Sequence, residues 1–279
     1  MLSATEVSFT YVQRRRDRER GRAAVLDATL EVPRGSRVGI LGPNGSGKTT
    51  LLRLLAGVLR PDRGQVALDG QDLRTFSRVE LARRMAMVPQ ETHPAFEYTA
   101  LEIVLMGRYA HLGAFEMERP GDLRVAGDCL EATGTGDLRD RHFHTLSGGE
   151  KQRVVIASAL AQTTDLLLLD EPSSSLDLRY QLEIADLLLR LGRERGSTLV
   201  LSTHDLNFAA SVCDALVLVR EGRVIASGAP REVLTPAHIR ALYGVEADVQ
   251  QHARNGGLVV VPVRPAPGCG GPQGEPWAR

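Results

Sequence analysis

The sequence predicts an α/β fold with a mainly parallel core sheet, an antiparallel β subdomain and a helical subdomain. Short apolar segments alternate with helical ones between residues 166 and 219, which is typical of a parallel sheet covered by helices. Two stretches of alternating polarity lie near the amino terminus, and a helical pattern fills the middle of the chain. We therefore expect one domain over residues 1–245, with a helical subdomain inserted at about 91–160.

The amino-terminal part is predicted to be an antiparallel hairpin. Val7, Phe9 and Tyr11 alternate with polar residues, and a second alternating stretch ends near Val32. The arginine-rich run at 14–22 between them could be a nucleic-acid patch or a solvent-exposed hairpin tip. The acids within the run favour the tip.

The remaining elements follow from apolar spacing and from turn residues. Strands are expected at 38–41, 64–70, 85–88, 166–169, 198–201 and 215–219, and helices at 49–58, from Leu178 and from Leu206. The segment 99–133 is helical, with breaks at Gly113 and at Pro120-Gly121. Residues 246–264 form a carboxy-terminal extension, and the Gly- and Pro-rich residues 265–279 are expected to be a disordered tail.

Composition restricts the possible functions. The 34 basic residues equal the 34 acidic ones, so no net charge attracts the chain to nucleic acid or to an anionic membrane. The apolar runs fall far short of the ~20 residues that span a bilayer. Cys129, Cys213 and Cys269 lack metal-ligand spacing, which favours reduced thiols.

A phosphate-loop pattern follows the strand predicted at 38–41 and precedes a helix. It consists of Gly42, Pro43, Asn44, Gly45, Ser46, Gly47, Lys48 and Thr49, with Thr50 next in the helix. Glycines allow backbone N–H groups to surround phosphate oxygens, and the helix amino terminus adds partial positive charge. Lys48 is one of only two lysines in the chain, and it supplies a compact cation for the β- and γ-phosphates, whereas Thr49 offers a hydroxyl to Mg²⁺.

Two adjacent carboxylates, Asp170 and Glu171, end the apolar segment 166–169. Because neighbouring side chains on a strand point in different directions, the two acids can have different functions. Asp170 is expected to hold Mg²⁺, and Glu171 to act as general base for the attacking water.

Ser147 and Glu150 have the spacing of a capping box before a helical pattern. Capping alone does not require Gly148 and Gly149 between them. Glycines at these positions would expose N–H groups and allow another backbone or a phosphate to approach closely.

The segment 146–150, LSGGE, resembles the signature motif of ATP-binding cassette (ABC) proteins. Further matches occur in the family's order, and the resemblance covers residues 1 to about 245. They are Gln90 after a short strand, Ser174-Ser175-Leu176-Asp177 beyond the carboxylates, His204 after the next strand, and Tyr11 where the family places an adenine-stacking aromatic.

The resemblance implies a P-loop NTPase fold and a head-to-tail homodimer with ATP between the subunits. Ser147, Gly148 and Gly149 would contact the partner's nucleotide, and Asp177 would cross the interface. Gln90 would sense Mg²⁺ and the water, and His204 would contact the γ-phosphate.

Three classes of protein contain such phosphate loops. A GTPase would carry Asn-Lys-x-Asp, which neither lysine here provides. A non-transport ABC ATPase of translation or DNA repair usually has two cassettes or a long coiled-coil insertion, and this chain has neither. An ABC importer subunit is therefore favoured, with an integral-membrane permease and a substrate-binding protein as partners, at the cytoplasmic side of the membrane and without nucleic acid.

Within the importers, residues 106–113 and 171–181 resemble the ATPases that import ferric siderophores, haem and vitamin B12, although Ser175 stands where a His is commonest. An importer of another substrate remains an alternative. Residues 91–115 would contact the permease, with Tyr98, Leu112 and Phe115 as candidate anchors and with Glu97 and Arg108 expected to be exposed.

Overall fold

A computed structural model describes residues 1–15, 18–92, 94–113, 116–174, 176–254 and 256–267. The strands are β1 (Leu2–Arg15), β2 (Arg18–Val32), β3 (Arg37–Leu41), β4 (Arg63–Leu68), β5 (Gln71–Asp72), β6 (Met85–Val88), β7 (Leu166–Asp170), β8 (Thr198–Thr203), β9 (Ala215–Arg220), β10 (Arg223–Gly228), β11 (Val245–Gln251) and β12 (Leu258–Pro265). The α-helices are α1 (Lys48–Leu55), α2 (Arg78–Ala82), α3 (Ala100–Leu105), α4 (Pro120–Ala132), α5 (Gly148–Ala161), α6 (Leu178–Arg195), α7 (Leu206–Val212), α8 (Pro230–Val233) and α9 (Pro236–Tyr243). Short 3₁₀ helices span Leu73–Thr75, Met106–His111, Gly136–Leu138 and Phe143–Thr145.

The core is a six-stranded sheet in the order β10-β9-β3-β8-β7-β6, and all of its strands except β10 are parallel. Every residue of β7 and β8 is buried, as expected for strands covered on both faces. Leu41 pairs with Thr203 and Asp170 pairs with Ser202. This register brings the carboxyl ends of β3, β7 and β8 to one edge of the sheet, where the phosphate loop, the two carboxylates and His204 follow.

The antiparallel subdomain is a four-stranded sheet in the order β2-β1-β4-β5. The predicted hairpin is confirmed, with pairing from Leu2–Val32 to Arg15–Arg18. The strands extend further into the arginine-rich run than predicted, because backbone pairing continues past Tyr11 to Arg15. The tip, Arg16 and Asp17, lies outside the described residues, so its two interpretations remain predictions.

The helical subdomain is held together by contacts of α3 and α4 with α5. Ile103, Val104, Leu130 and Val154 belong to its buried apolar cluster. Pro120 is the first residue of α4 rather than a break within a helix, because proline has no N–H and the first turn of a helix does not need one.

Arg108 is not the exposed side chain that we expected. It is 12% exposed and donates to Asp122 Oδ1 at 2.9 Å and to the Ala161 carbonyl at 2.7 Å. A backbone hydrogen bond from Arg119, followed by the Arg108 guanidinium, holds the pKa of Asp122 below its usual range. Arg108 therefore joins the 3₁₀ segment, α4 and the end of α5.

The carboxy-terminal extension is a β11–β12 hairpin that packs against α9 and α7. The strand β12 reaches Pro265, and the buried Ala266 donates its amide hydrogen to the Gly244 carbonyl at 2.8 Å. Structure thus extends into the start of the predicted tail, because this backbone bond ties it to the end of α9. Residues 268–279 lie outside the described residues.

Across the described part of the chain, no helix is long and apolar enough to cross a membrane. Cys129 and Cys213 are buried free thiols, whereas Cys269 lies outside the described residues. Burial raises the pKa of both described thiols.

Candidate ATP-binding and hydrolysis site

The phosphate loop turns sharply between β3 and α1 because two of its glycines lie against backbone. A Cβ atom on Gly42 would come within 2.2 Å of the Val219 carbonyl oxygen, and one on Gly47 within 2.2 Å of the Ala24 carbonyl oxygen. Gly47 also has φ +105°, which disfavours any side chain. The hydroxyl of Ser46 is buried in this loop and has no hydrogen-bond partner among the described residues. The loop therefore has the narrow shape and the spare donor that suit a phosphate group.

Lys48 is 4% exposed, and its ammonium group contacts the start of the phosphate loop and Glu171. Its Nζ donates to the carbonyl oxygens of Gly42 at 2.9 Å and Pro43 at 3.1 Å. The same atom lies 3.4 Å from Glu171 Oε1. A buried cation requires such partners, and they hold Lys48 in the lining of a cleft that it shares with Glu171.

Asp170 accepts two hydroxyl hydrogen bonds at the end of β7. Thr49 Oγ1 lies 2.9 Å and Ser202 Oγ 2.6 Å from Asp170 Oδ1. A hydroxyl and a carboxylate, with the exposed amide of Gln90 nearby in the cleft, form the oxygen-rich donor set that Mg²⁺ prefers. These residues therefore fit a magnesium ion.

Glu171 follows the last residue of β7, and its carboxylate has different partners from that of Asp170. Its Oε2 lies 2.8 Å from His204 Nδ1, and its side chain is 9% exposed. The backbone of Glu171 has φ +48°, an uncommon conformation for a residue other than glycine. Its amide donates to both the carbonyl and the hydroxyl oxygen of Ser202 at 3.1 Å, which holds this turn in place.

Sequence reasoning missed Ser202, although a signal was present. Ser202 and Thr203 are the polar end of a buried apolar strand that precedes His204. A polar side chain at such a strand end commonly faces a site. Because Ser202 lies beside Asp170 in the parallel register, its hydroxyl contacts both the Asp170 carboxylate and the Glu171 backbone amide.

Part of the phosphate loop lines a cleft of about 820 Å³ together with Glu171 and His204. Asp170 and Ser202 lie outside its lining. Ten of the residues to which the sequence assigned a function in the site line this cleft: Tyr11, Asn44, Gly45, Gly47, Lys48, Thr49, Thr50, Gln90, Glu171 and His204. Of the residues outside that set, Ser174 belongs to the segment matched after the carboxylates. The sequence did not indicate the rest of the wall, which comes from β2 and from the β9–β10 turn: Arg22, Ala23, Ala24, Glu221 and Gly222.

Tyr11 lies at the edge of this cleft, half-exposed at 39%. Its hydroxyl is 3.4 Å from Thr50 Oγ1, and its ring packs edge-on against Phe9 at 4.9 Å between centroids. These contacts hold the aromatic ring of Tyr11 beside the phosphate loop.

Known proteins share both the sequence and this fold. A family model described as ABC transporter matches residues 25–174, which is more than half of the chain. The chain belongs to the ABC transporter family. It is therefore an ABC ATPase, which binds and hydrolyses ATP.

The relatives of this ABC ATPase include three import proteins. Ferric enterobactin transport ATP-binding protein FepC of Escherichia coli is 40% identical, over 86% of this chain and 89% of FepC. Hemin import ATP-binding protein HmuV of Bordetella pertussis is 42% identical, over 88% of this chain and 96% of HmuV. Cobalamin import ATP-binding protein BtuD of Halobacterium salinarum is 40% identical, over 85% of this chain and 59% of BtuD.

Two solved structures resemble the ABC ATPase fold described here. A chain of an inward-facing ABC transporter described as of the metal-chelate type has a TM-score of 0.78 and 31% identity, covering 94% of this chain and 96% of its own. The ATP-binding cassette MJ0796, solved as a dimer with ADP and Pi, has a TM-score of 0.71 and 29% identity, covering 83% and 99%.

The ABC signature segment is not part of the cleft. Ser147 begins α5 as a cap: its amide donates to Glu150 Oε2 at 2.7 Å, and its Oγ accepts from the Glu150 amide at 3.4 Å. Ser147 and Gly148 are exposed. Neither residue lines the cleft that contains Lys48 and Glu171.

Gly149 differs from the expectation that both glycines admit an approaching ligand. It is buried, and a Cβ atom there would come within 2.4 Å of the Tyr180 ring. The group that approaches Gly149 is therefore a side chain of the same subunit. Gly148 keeps the open space, since the nearest atom to its Cβ position is Leu176 Cδ2 at 3.6 Å.

Asp177 also lies outside the cleft lining and is exposed. Its side chain caps α6 by accepting a hydrogen bond from the Tyr180 amide at 3.1 Å. Within one subunit, Asp177 thus has a structural function and no contact with the phosphate loop.

Proposed function

We propose that this ABC ATPase energises the import of a metal chelate, such as a ferric siderophore, haem or cobalamin, through a separate integral-membrane permease. The observation that carries the proposal is identity of 40–42% over at least 85% of the chain to proteins named for ferric enterobactin, hemin and cobalamin import. In this proposal the chain lies at the cytoplasmic side of the membrane, and a substrate-binding protein delivers the cargo to the permease.

The phosphate loop binds the triphosphate of ATP in this proposal. Backbone N–H groups of the loop and the ammonium of Lys48 compensate the phosphate charge. Tyr11, at the edge of the same cleft, stacks on adenine. Thr49, Asp170 and Gln90 hold Mg²⁺, which supplies positive charge against the phosphate oxygens.

Glu171 acts as the general base. Its carboxylate accepts a proton from water while the water oxygen attacks the γ-phosphorus and the bond to ADP breaks. Lys48 and His204 contact opposite oxygens of this carboxylate at 3.4 and 2.8 Å. Lys48 and His204 fix the orientation of the Glu171 carboxylate. His204 also lines the cleft, where it contacts the γ-phosphate of bound ATP.

The exposed signature segment completes the partner's site. Ser147 and Gly148 lie at the surface, away from the subunit's own cleft, as a head-to-tail homodimer requires. The amino terminus of α5 then faces the partner's phosphates, and Asp177 lies at the interface. Gly149 has no side chain, and this allows the Tyr180 ring to pack closely against the first turn of α5.

The permease binds a groove beside Gln90 and the helical subdomain. The groove has a volume of about 510 Å³ and is lined largely by apolar side chains, including Pro94, Phe96, Ile103 and Met106. Phe96 is 74% exposed and is a further candidate anchor. Phe115 lies outside the described residues, so its assignment as an anchor stays a prediction. Tyr98 lines the groove but also packs on the core, and Leu112 does not line the groove.

Uptake measurements test this function. Cells that lack the chain are complemented with wild type or with Lys48→Ala, and uptake of ferric siderophore, haem and cobalamin is followed with labelled cargo. We expect one of the three to be taken up only with the wild type. Equal uptake of all three by both strains would contradict the proposed import function.

The coupling surface is tested with Glu97→Lys and Phe96→Ser, since both side chains are exposed. We expect loss of uptake with normal ATPase activity of the purified subunit. Val79→Ser removes an exposed apolar side chain outside this groove and should leave uptake unchanged. Phe96 lines the groove and Glu97 is its exposed neighbour in the chain. Normal uptake with both variants would contradict this surface.

A further inference from the structure

The carboxy-terminal part of the chain contacts the segment that carries His204. Tyr243, the last residue of α9, donates its hydroxyl hydrogen to the backbone carbonyl of His204 at 3.0 Å. Tyr243 also packs against the buried apolar cluster that contains Ile103 and Val154. The hydroxyl therefore reaches the backbone of His204 from a fixed side chain.

A second contact holds the same segment three residues later. Asn207 Nδ2 donates to the Val260 carbonyl at 3.2 Å, and Asn207 Oδ1 accepts from the Val260 amide at 2.8 Å. Val260 is a buried residue of β12. The β11–β12 hairpin thus binds the first turn of α7 through a paired hydrogen bond, which fixes orientation as well as distance.

The backbone of residues 204–207 is otherwise held mainly by local bonds. Asp205 accepts from the amides of Asn207 and Phe208 as the cap of α7, and its own amide donates to Thr203 Oγ1. These bonds shape the turn but do not attach it to another element. The contacts of Tyr243 and Val260 do so from α9 and β12.

The Tyr243 hydroxyl stays protonated and available as a donor. Burial raises the pKa of Tyr243, and the negative charges of Asp205 and Glu171 raise it further. A phenol in this state can donate to the His204 carbonyl throughout the physiological pH range.

We propose that Tyr243 is a positioning residue for ATP hydrolysis and that α9 with the β11–β12 hairpin holds His204 in register with Glu171. The imidazole lies 2.8 Å from Glu171 Oε2, so a shift of the His204 backbone changes the orientation of the carboxylate. This inference rests on the proposed catalytic function of Glu171 and His204. It gives the carboxy-terminal extension a function in the hydrolysis site.

Tyr243→Phe tests the proposal because it removes only the hydroxyl. We expect kcat for ATP to fall about threefold to tenfold with KM unchanged, as loss of one positioning hydrogen bond predicts. Tyr109→Phe removes an exposed hydroxyl on the 3₁₀ helix Met106–His111 and serves as the control. In a His204→Ala background, Tyr243→Phe should have no further effect on kcat, because its effect acts through His204.

A spectroscopic measurement separates this inference from the function on which it rests. The imidazole NMR signals of His204, assigned by their loss in His204→Ala, should shift in Tyr243→Phe and not in Tyr109→Phe. Asn207→Ala should shift them as well, and Asn207→Asp, which keeps the acceptor for the Val260 amide, should restore them in part.

Unchanged imidazole signals and unchanged kcat in Tyr243→Phe would overturn the inference. An equal loss of kcat from Tyr243→Phe with and without His204 would also overturn it, because the hydroxyl would then act by another route. If His204→Ala retains full ATPase activity while Tyr243→Phe still shifts the imidazole signals, the proposed function of His204 fails and the positioning contact stands.

Discussion

At the scale of single residues, Lys48 shows how far a motif predicts a site. The sequence predicted its position because a lysine in an arginine-biased chain follows Gly47 at the start of a helix. It did not predict the contact between Lys48 Nζ and Glu171, because that contact depends on β3 and β7 lying in one sheet. Ser202 was missed for the same reason, since only the β7–β8 register places it beside Asp170.

Replacement of Lys48 by alanine should weaken ATP binding roughly 30-fold or more, because the phosphate charge loses its buried cation. Lys151→Ala is the matched control, since Lys151 is the only other lysine and lies on α5 outside the cleft. Titration of each purified variant with a fluorescent ATP analogue provides the measurement. Wild-type affinity of Lys48→Ala would contradict the assignment of the phosphate loop.

At the scale of elements, apolar spacing predicted the hairpin, the buried strands and the main helices. Alternating or helical spacing reflects one covered face, and a continuous apolar run reflects a strand that is covered on both faces. The spacing of apolar residues did not predict β10, because its residues are alternately exposed and half-buried and none is fully buried. It also did not predict β11 and β12, which have few buried residues. These strands are stabilised by contacts with α7, α8 and α9 that no local pattern reveals.

The cap of α5 has an intramolecular function that must be separated from a function toward ATP. Ser147→Arg should abolish ATPase activity and leave ATP binding to the isolated subunit intact. Ser77→Arg removes an equivalent capping box with Glu80 at the start of α2, and it should cost a similar ~0.5–2 kcal/mol of stability. Thermal melts and ATPase rates of both variants are compared. Equal ATPase activity in the two folded variants would show that Ser147 is only a cap.

Arg108 is mostly buried, whereas its position in the sequence indicated an exposed side chain. Arg108→Glu should lower the free energy of unfolding by about 3 kcal/mol or more. The variant loses the mostly buried ion pair with Asp122 and places a second carboxylate beside Asp122. Arg139→Glu changes the same charge at a side chain that is 54% exposed, and it should have little effect. Urea denaturation followed by circular dichroism measures the free energy of unfolding of both variants. Equal values for the two variants would contradict the conclusion that Arg108 stabilises the fold by joining the 3₁₀ segment, α4 and the end of α5.

At the scale of the whole molecule, alternating strands and helices predicted the parallel sheet, since that arrangement places successive strands in one layer. The order β9-β3-β8-β7-β6 could not be read from the sequence, because it depends on how the helices cross the sheet. The proposed dimer could not be derived from one chain, because Ser147 does not line the cleft that contains the phosphate loop of the same subunit. In the proposed head-to-tail arrangement, a second subunit would bring these residues together around one ATP.

The central claim is that Glu171 hydrolyses ATP held between two copies of this chain. The most direct measurement is light scattering of Glu171→Gln with and without saturating ATP, together with its turnover rate. We predict that ATP still binds, that turnover falls by roughly 10²–10⁴, and that a dimer accumulates, because a ligand bound across an interface stabilises the assembled state. A variant that binds ATP to saturation and remains monomeric, or that hydrolyses ATP at the wild-type rate, would contradict it.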